Sequence, residues 1–455
     1  MRKRFISFGI VSILIVALLA GCGTNGNKEN TPASAGSVAS TTPTEGASAE
    51  PVEPVTLTII DWYSKNELTP AIEAWNKANP DIQLKEEIID GNSWQTIYTT
   101  RFQSGDAPDL LFMDRGETPQ WAENGYLMDV TDRPSIQDLK ENLPELYNAR
   151  EINGKVYLSV VDSGASTNMI FYNQVIFDKL NLSVPTTMEE FYQVCEAIKA
   201  SGVDPLVFGA GDWAGYRLLA NPFRDVTVNN QGIKNAVNAL VEGTATIPQI
   251  YESTFTMLKK LSDGGYVSKA SATLKYDQSV QYFADGRAAM LPQGNWVPTL
   301  EAITKADPAK FKLNSFMLPY PADSNKKINM TVSPGYGLAI NAKTKYPEQA
   351  KKAFDGLTSI DSIKMMVQGM GATTIHPGIK LELDPALQQS NDQLYAPNVN
   401  KVIGDPDKYE VPASFGDVYK KAMFDAINSG VTVEKSLKDL QTEWDIVKES
   451  VKKLE

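Results

Sequence analysis

Cysteine and histidine are almost missing from this chain: of 455 residues, two are cysteine and one is histidine. That supply excludes a metal cluster of the usual nitrogen–sulfur type and a histidine-based nucleophilic triad. Basic charge is also short. There are 43 Lys and Arg against 55 Asp and Glu, a formal net charge of −12, and no basic stripe stands out. Such a chain repels a phosphate backbone, so nucleic-acid binding is excluded. Internal repeats are absent. Gly209-x-Gly211 lacks the rest of a dinucleotide fingerprint, and Ser163-Gly-Ala-Ser-Thr is not a nucleophile elbow. A carboxylate pair for glycoside hydrolysis stays open, because sugar-binding and sugar-cleaving sites draw on the same residue types.

Long apolar runs are scarce too. The run Phe5–Ala20 is short for a comfortable membrane span and no stop-transfer charges follow it, whereas Arg2-Lys3-Arg4 before it is a positive n-region. Leu19-Ala20-Gly21-Cys22 comes next and resembles the bacterial lipobox. The resemblance implies that residues 1–21 are a lipoprotein signal peptide and that Cys22 takes the lipid, anchoring the chain to a membrane face without spanning it. From 22 to 54 the composition is mostly Ser, Thr, Ala, Gly, Pro and Glu, with no apolar residue larger than valine beyond the cysteine. That segment reads as a flexible tether reaching about 30 Å. Cys195 falls in line with Phe191, Val194 and Ile198 on one helical face and reads as a core thiol, so no disulfide is expected.

The folded body starts with a strand at Leu57–Ile60. Thr69-Pro70 reads as a helix start with threonine as N-cap, Ile72 and Trp75 mark one face, and Asn79-Pro80 stops the helix. Ile82–Ile89 is a second strand, a helix spans Trp94 to Gln103, and Asp109–Met113 is a third strand. Alternation of strand and helix predicts βαβ units and a largely parallel sheet. Ligands of such sheets sit beyond the carboxyl ends of strands, here at Asp61-Trp62-Tyr63 and Asp114-Arg115.

Gly154–Lys179 combines a β-rich run at Val156–Val161, small residues from Ser163 to Ser166, and a second apolar run, Met169–Tyr172. It reads as a crossing between two bodies, with Asp162 at the junction. Thr187 and Glu190 form a capping box. Pro205–Phe208 leads to Gly209-Ala-Gly-Asp-Trp213, and Phe283–Met290 leads to Gln293-Gly-Asn-Trp296. Met330–Ile340 predicts a second strand pair with small residues between. Val433, Leu437, Leu440, Trp444, Val447 and Val451 give the last helix an amphipathic docking face.

Ile170-Phe-Tyr-Asn173 with Phe177 and Lys179 is similar to the signature of the family 1 extracellular solute-binding proteins of ABC importers. Gly105–Asp109, Pro185–Phe191, Phe283–Met290 and Gly337–Asn341 resemble its other recurring blocks, in the right order, and the likeness runs from about residue 55 to 450. The resemblance implies an α/β, two-lobe periplasmic-binding-protein-like fold of type II. Each lobe is then a mainly parallel sheet flanked by helices, with the ligand cleft between the lobes. The expected division is 55–162 plus 336–377 for lobe 1 and 163–335 plus 378–455 for lobe 2. Crossings are expected near Val160–Gly164, Val332–Tyr336 and around Ile375–Leu383.

The implied function is a lipid-anchored substrate-binding component on the extracytoplasmic face of a bacterial cell membrane. It would capture a carbohydrate, an oligosaccharide, by hinge closure and deliver it to ABC permease subunits as a monomer, without cofactor or metal. Sugars present apolar faces and a rim of hydroxyls, which aromatic planes and carboxylate, arginine or amide groups hold. The candidate ligand-binding residues are Trp62, Asp114, Arg115, Asp162, Trp213, Asn295, Trp296, Tyr336 and Phe415. A lipid-anchored glycoside-acting enzyme and a sugar-sensing lipoprotein partnering a signalling kinase are the alternatives.

Overall fold

In a computed structural model, residues 54–62, 67–91, 93–163, 169–212, 219, 233, 236–319, 328–383, 385–394, 396–403, 409–428 and 430–453 are described. The signal peptide, nearly all of the tether, Cys22 and Trp213 lie outside the described residues.

Three strands come first: β1 (Val55–Asp61), β2 (Ile82–Ile88) and β3 (Leu110–Met113). Four more follow: β4 (Met169–Asn173), β5 (Asp204–Leu206), β6 (Ala288–Gln293) and β7 (Leu313–Met317). The chain then returns through β8 (Gly337–Ile340). These strands build two four-stranded sheets, ordered β8-β3-β1-β2 and β5-β6-β4-β7. β3, β4, β6 and β8 are buried along their whole length. Helix cover on both sides explains why these strands read as apolar runs rather than as alternating patterns.

In the first sheet β1 is parallel to β2 and to β3, and β8 runs antiparallel to β3. The second sheet differs from the mainly parallel arrangement expected: only β5 and β6 are parallel, whereas β4 is antiparallel to both β6 and β7. The cause lies in connectivity. β4 enters from the crossing at the edge where β6 and β7 end, so it must run against both of them.

Each sheet has its own core. Helices Pro347–Leu357 and Ile360–Gly369 add Ala350, Phe354, Leu357 and Val367 to a cluster with Leu57, Ile59, Phe112 and Leu338. Helices Ala413–Asn428 and Val433–Val447 add Met423, Leu437, Leu440 and Trp444 to a cluster with Ile170, Phe191 and Met290. Cys195 is buried in that second core as a free thiol, and burial pushes its pKa up, which leaves it inert.

Several local details depart from expectation. Thr69 is the first helical residue rather than the cap, because its hydroxyl donates to Glu86 on β2 at 2.6 Å. The Thr187 side chain does accept from the Glu190 amide, but the Glu190 carboxylate reaches back to Thr186. The strand expected at Val156–Val161 shrinks to a short hairpin of Glu151–Ile152 with Lys155–Val156, turned by Asn153 and Gly154 at positive φ. Beyond it the chain follows β8, with Ser159 and Val161 amides donating to the carbonyls of Leu338 and Tyr336.

Candidate binding site at the crossings

Register alone gathers most of the candidate residues. β1 and β3 run parallel, so Trp62 and Asp114 leave the first sheet at the same edge. Gly337 of β8 lies opposite Met113 and places Tyr336 at that edge too. In the second sheet Gln293, the end of β6, lies opposite Met169, where β4 begins, and the loop 294–296 therefore opens beside the first crossing. β5 is parallel to β6, so the loop that starts at Val207 leaves from this edge.

On the first-sheet side Trp62 is half-buried. One ring face stacks on Trp94 with centroids 4.5 Å apart, and the edge of the ring system meets Tyr336 at 5.3 Å. Tyr336 also leans on Phe112 at 6.0 Å. Trp62 is thereby propped by aromatic neighbours, which fixes its plane.

Asp162 is buried at the point where the two crossing segments touch. Its Oδ1 accepts the Tyr336 amide at 2.6 Å, and a side chain at residue 335 would lie only 1.4 Å from its carbonyl oxygen. Gly335 has φ +87°, so this position needs glycine for both space and conformation. Burial raises the Asp162 pKa to about 6 against the opposing pull of the Tyr336 amide and of Arg150. Arg150 is fully buried and donates from Nη2 to the carbonyls of Pro334 and Gly335 at 2.8 and 2.6 Å. Burial, and then the neighbouring Arg115 charge, lower it to about 9, so it stays protonated at neutral pH. Arg115 itself donates from Nε to the Ala149 carbonyl.

Asp114 Oδ1 accepts the Gly116 amide at 2.7 Å. Its second partner is Glu117, whose pKa burial and then the Asp114 charge push up to about 8. Glu117 therefore keeps its proton at neutral pH.

On the second-sheet side Asn295 is buried and donates from Nδ2 to Thr373 Oγ1 at 3.1 Å. Thr373 in turn accepts the Ser163 amide on its carbonyl at 3.2 Å, and the Ser163 hydroxyl accepts the Ile375 amide at 3.2 Å. Thr373–Ile375 thus lies against the first crossing, while Ile375, Ile379 and Leu381 still pack on the first core. Trp296 is half-buried, and its indole N–H donates to the Tyr276 hydroxyl at 2.8 Å. A Cβ on Gly294 would lie 2.1 Å from the Trp296 ring, so the indole folds back over a residue that has no side chain.

Trp62, Asp114, Arg115, Asp162, Tyr336, Asn295 and Trp296 thus belong to loops and crossings at adjoining sheet edges. Phe415 does not join them. It is buried in the second core against Trp444, at 5.6 Å, and core packing accounts for it. Arg150, Glu117, Trp94 and Thr373 were not expected. Glu117 stands three residues after Asp114, an acid spacing visible in the sequence, whereas nothing in Asn148-Ala-Arg-Glu marks Arg150 as buried. His376 pairs with Asp138 at 2.6 Å. Among the described residues no helix is long and apolar enough to cross a membrane.

Two lobes with separate cores, and with aromatic, acidic and amide groups in the loops at their sheet edges, have the architecture of a solute-binding protein. The chain belongs to the bacterial extracellular solute-binding protein family, whose model matches residues 62–363. It is 28% identical over 332 residues to a multiple sugar-binding protein of Streptococcus mutans, covering 70% of this chain and 74% of that protein. The fold is shared with a stachyose complex of a sugar transporter from Bacillus licheniformis, at TM-score 0.63 and 19% identity over 86% of this chain and 99% of that one. It is likewise shared with a maltose-bound protein of T. maritima, at TM-score 0.69 and 19% identity over 86% of this chain and 99% of that one.

Proposed function

We propose that the protein is a lipid-anchored receptor on the extracytoplasmic face of the cell membrane. It captures a carbohydrate, an oligosaccharide, between lobe 1 (55–162 plus 336–377) and lobe 2 (163–335 plus 378–455), and hands the closed form to ABC permease subunits. The observation that carries the carbohydrate reading is the pairing, at adjoining sheet edges, of propped indoles (Trp62 and Trp296) with carboxylate, guanidinium and amide groups (Asp114, Arg115, Asp162 and Asn295), the types that hold sugar hydroxyls. The names of the Streptococcus mutans relative and of the stachyose- and maltose-bound structures support the same class. Trp213 is a further proposed ligand-binding residue, and Cys22 is the proposed lipid attachment point.

Titration calorimetry against raffinose, stachyose, maltose and a wider oligosaccharide panel tests the proposal. Heat of binding to at least one sugar is expected, and binding only to polyamines or phosphate would overturn the carbohydrate assignment. Unchanged sugars after long incubation separate the receptor from a glycoside-acting enzyme. Loss of uptake on gene deletion separates transport from sensing.

A further inference from the structure

Crossings join the lobes, yet the amount of each that moves with lobe 1 depends on how it is tied down. The tie runs through one side chain. Arg150 sits just before the Glu151–Val156 hairpin and its own amide donates to Tyr147, so its backbone belongs to the first core's framework. One guanidinium nitrogen, Nη2, holds the carbonyls of two consecutive residues, Pro334 and Gly335, at 2.8 and 2.6 Å. Consecutive carbonyls turn toward one donor group only where the backbone bends sharply, and Gly335 supplies that bend at φ +87°. The bend seats Gly335 on Asp162, whose carboxylate takes the Tyr336 amide at 2.6 Å, while Val161 donates to the Tyr336 carbonyl at 2.8 Å. Tyr336 then props Trp62. A single buried arginine is thus linked, contact by contact, to two crossings and to the indole that faces the site. Its Nε and Nη1 have no partner among the described residues, so what holds the side chain in place is this carbonyl grip and the nearby carboxylates.

We propose that Arg150 is a positioning residue for ligand capture. It clamps the Pro334–Tyr336 turn and, through it, Asp162 to lobe 1. The pivot of lobe motion in the second crossing then falls just outside the clamp, before Pro334. The proposal rests on the two-lobe closure described above but assigns a role to a residue that touches no ligand.

The test uses the full chain and no sugar, so it stands apart from the choice of substrate. Hydrogen exchange is followed in the peptide spanning 333–338 for wild type, Arg150→Met and Arg150→Lys, beside the melting temperature of each. Arg150→Met is expected to speed exchange of the Tyr336 amide at least tenfold and to alter the scattering radius, without a matching fall in melting temperature. Arg150→Lys, which keeps charge and a donor for the carbonyls, is expected to recover part of the protection. If Arg150→Met does not fold because Asp162 is left alone, the pair Arg150→Met with Asp162→Asn removes both charges and is read in the same way. A folded variant with wild-type exchange at Tyr336 and an unchanged radius would overturn the proposal. So would loss of protection spread evenly over the first core, since that marks a merely structural arginine.

Discussion

At the scale of single residues, the informative groups are those whose surroundings oppose their chemistry. Trp296 is a large apolar ring left half-buried, outside the hydrophobic clusters among the described residues, with its N–H already taken by Tyr276. A ring so held offers a face and keeps no donor of its own to satisfy. Trp296→Ala should weaken sugar binding by about 1–3 kcal/mol, the scale of a lost aromatic contact, and unchanged affinity in the folded variant would remove it from the site. Glu117 is the other such group, a carboxyl held protonated beside Asp114. Between its ordinary pKa near 4.5 and about 8 the unfolded chain ionises while the folded chain keeps the proton. Stability therefore falls as pH rises through that window and levels off above it. Asp162, raised to about 6, adds a fall of the same sign between pH 4 and 6. Melting temperature should thus drop between pH 5 and pH 8, and Glu117→Gln should flatten most of that slope. An equal slope in wild type and variant would show that the proton sits elsewhere.

At the scale of elements, both sheets deliver candidate groups from strand ends, and the strands that carry them were legible in advance. Apolar runs followed by Asp-Trp, Asp-Arg or Gly-Asn-Trp mark a strand and the loop after it without any knowledge of packing. The misses share a different physics. Phe415 and Trp62 are alike as aromatic residues in sequence, but Phe415 is buried in the second core against Trp444 while Trp62 is only half-buried, and coverage is decided by distant segments. Thr69 satisfies every local rule for a cap, yet a carboxylate on β2 competes for its hydroxyl. Arg150 is buried by two crossings that lie far along the chain. The mixed second sheet follows from the point of entry of β4, which no strand pattern records. Two glycines show where these connections tolerate change. Gly335→Ala would place a methyl carbon into the Asp162 carbonyl at a positive φ and should cost about 3 kcal/mol or more, read as a lowered denaturant midpoint. Gly294→Ala collides only with the Trp296 indole, which can swing aside. It should lose sugar affinity with little change in the midpoint, and a large stability loss there would contradict the open placement of that ring.

At the scale of the whole molecule, the decisive property is that each sheet carries its own apolar cluster. Leu57, Phe112, Leu338 and Phe354 belong to one, and Ile170, Phe191, Met290 and Trp444 to the other, so bending the crossings breaks neither core. A molecule so divided keeps its large favourable terms inside the lobes and leaves the join weak. Asn295 donating to Thr373, one bond between the β6 loop and the segment after helix Ile360–Gly369, is the kind of contact that such a join is made of. Ligand bound between the lobes then adds free energy where the protein has least of its own. At a sugar concentration a hundred times the Kd the folded state gains about 2.7 kcal/mol. Two outcomes are expected together in calorimetry and small-angle scattering on the same sample. The melting transition rises and sharpens, because the two lobes now unfold as one, and the radius of gyration falls as the lobes close. A rise in melting temperature with an unchanged radius would mean that the sugar binds one lobe alone. In that case the loops of a single sheet edge, rather than the meeting of two, would form the site.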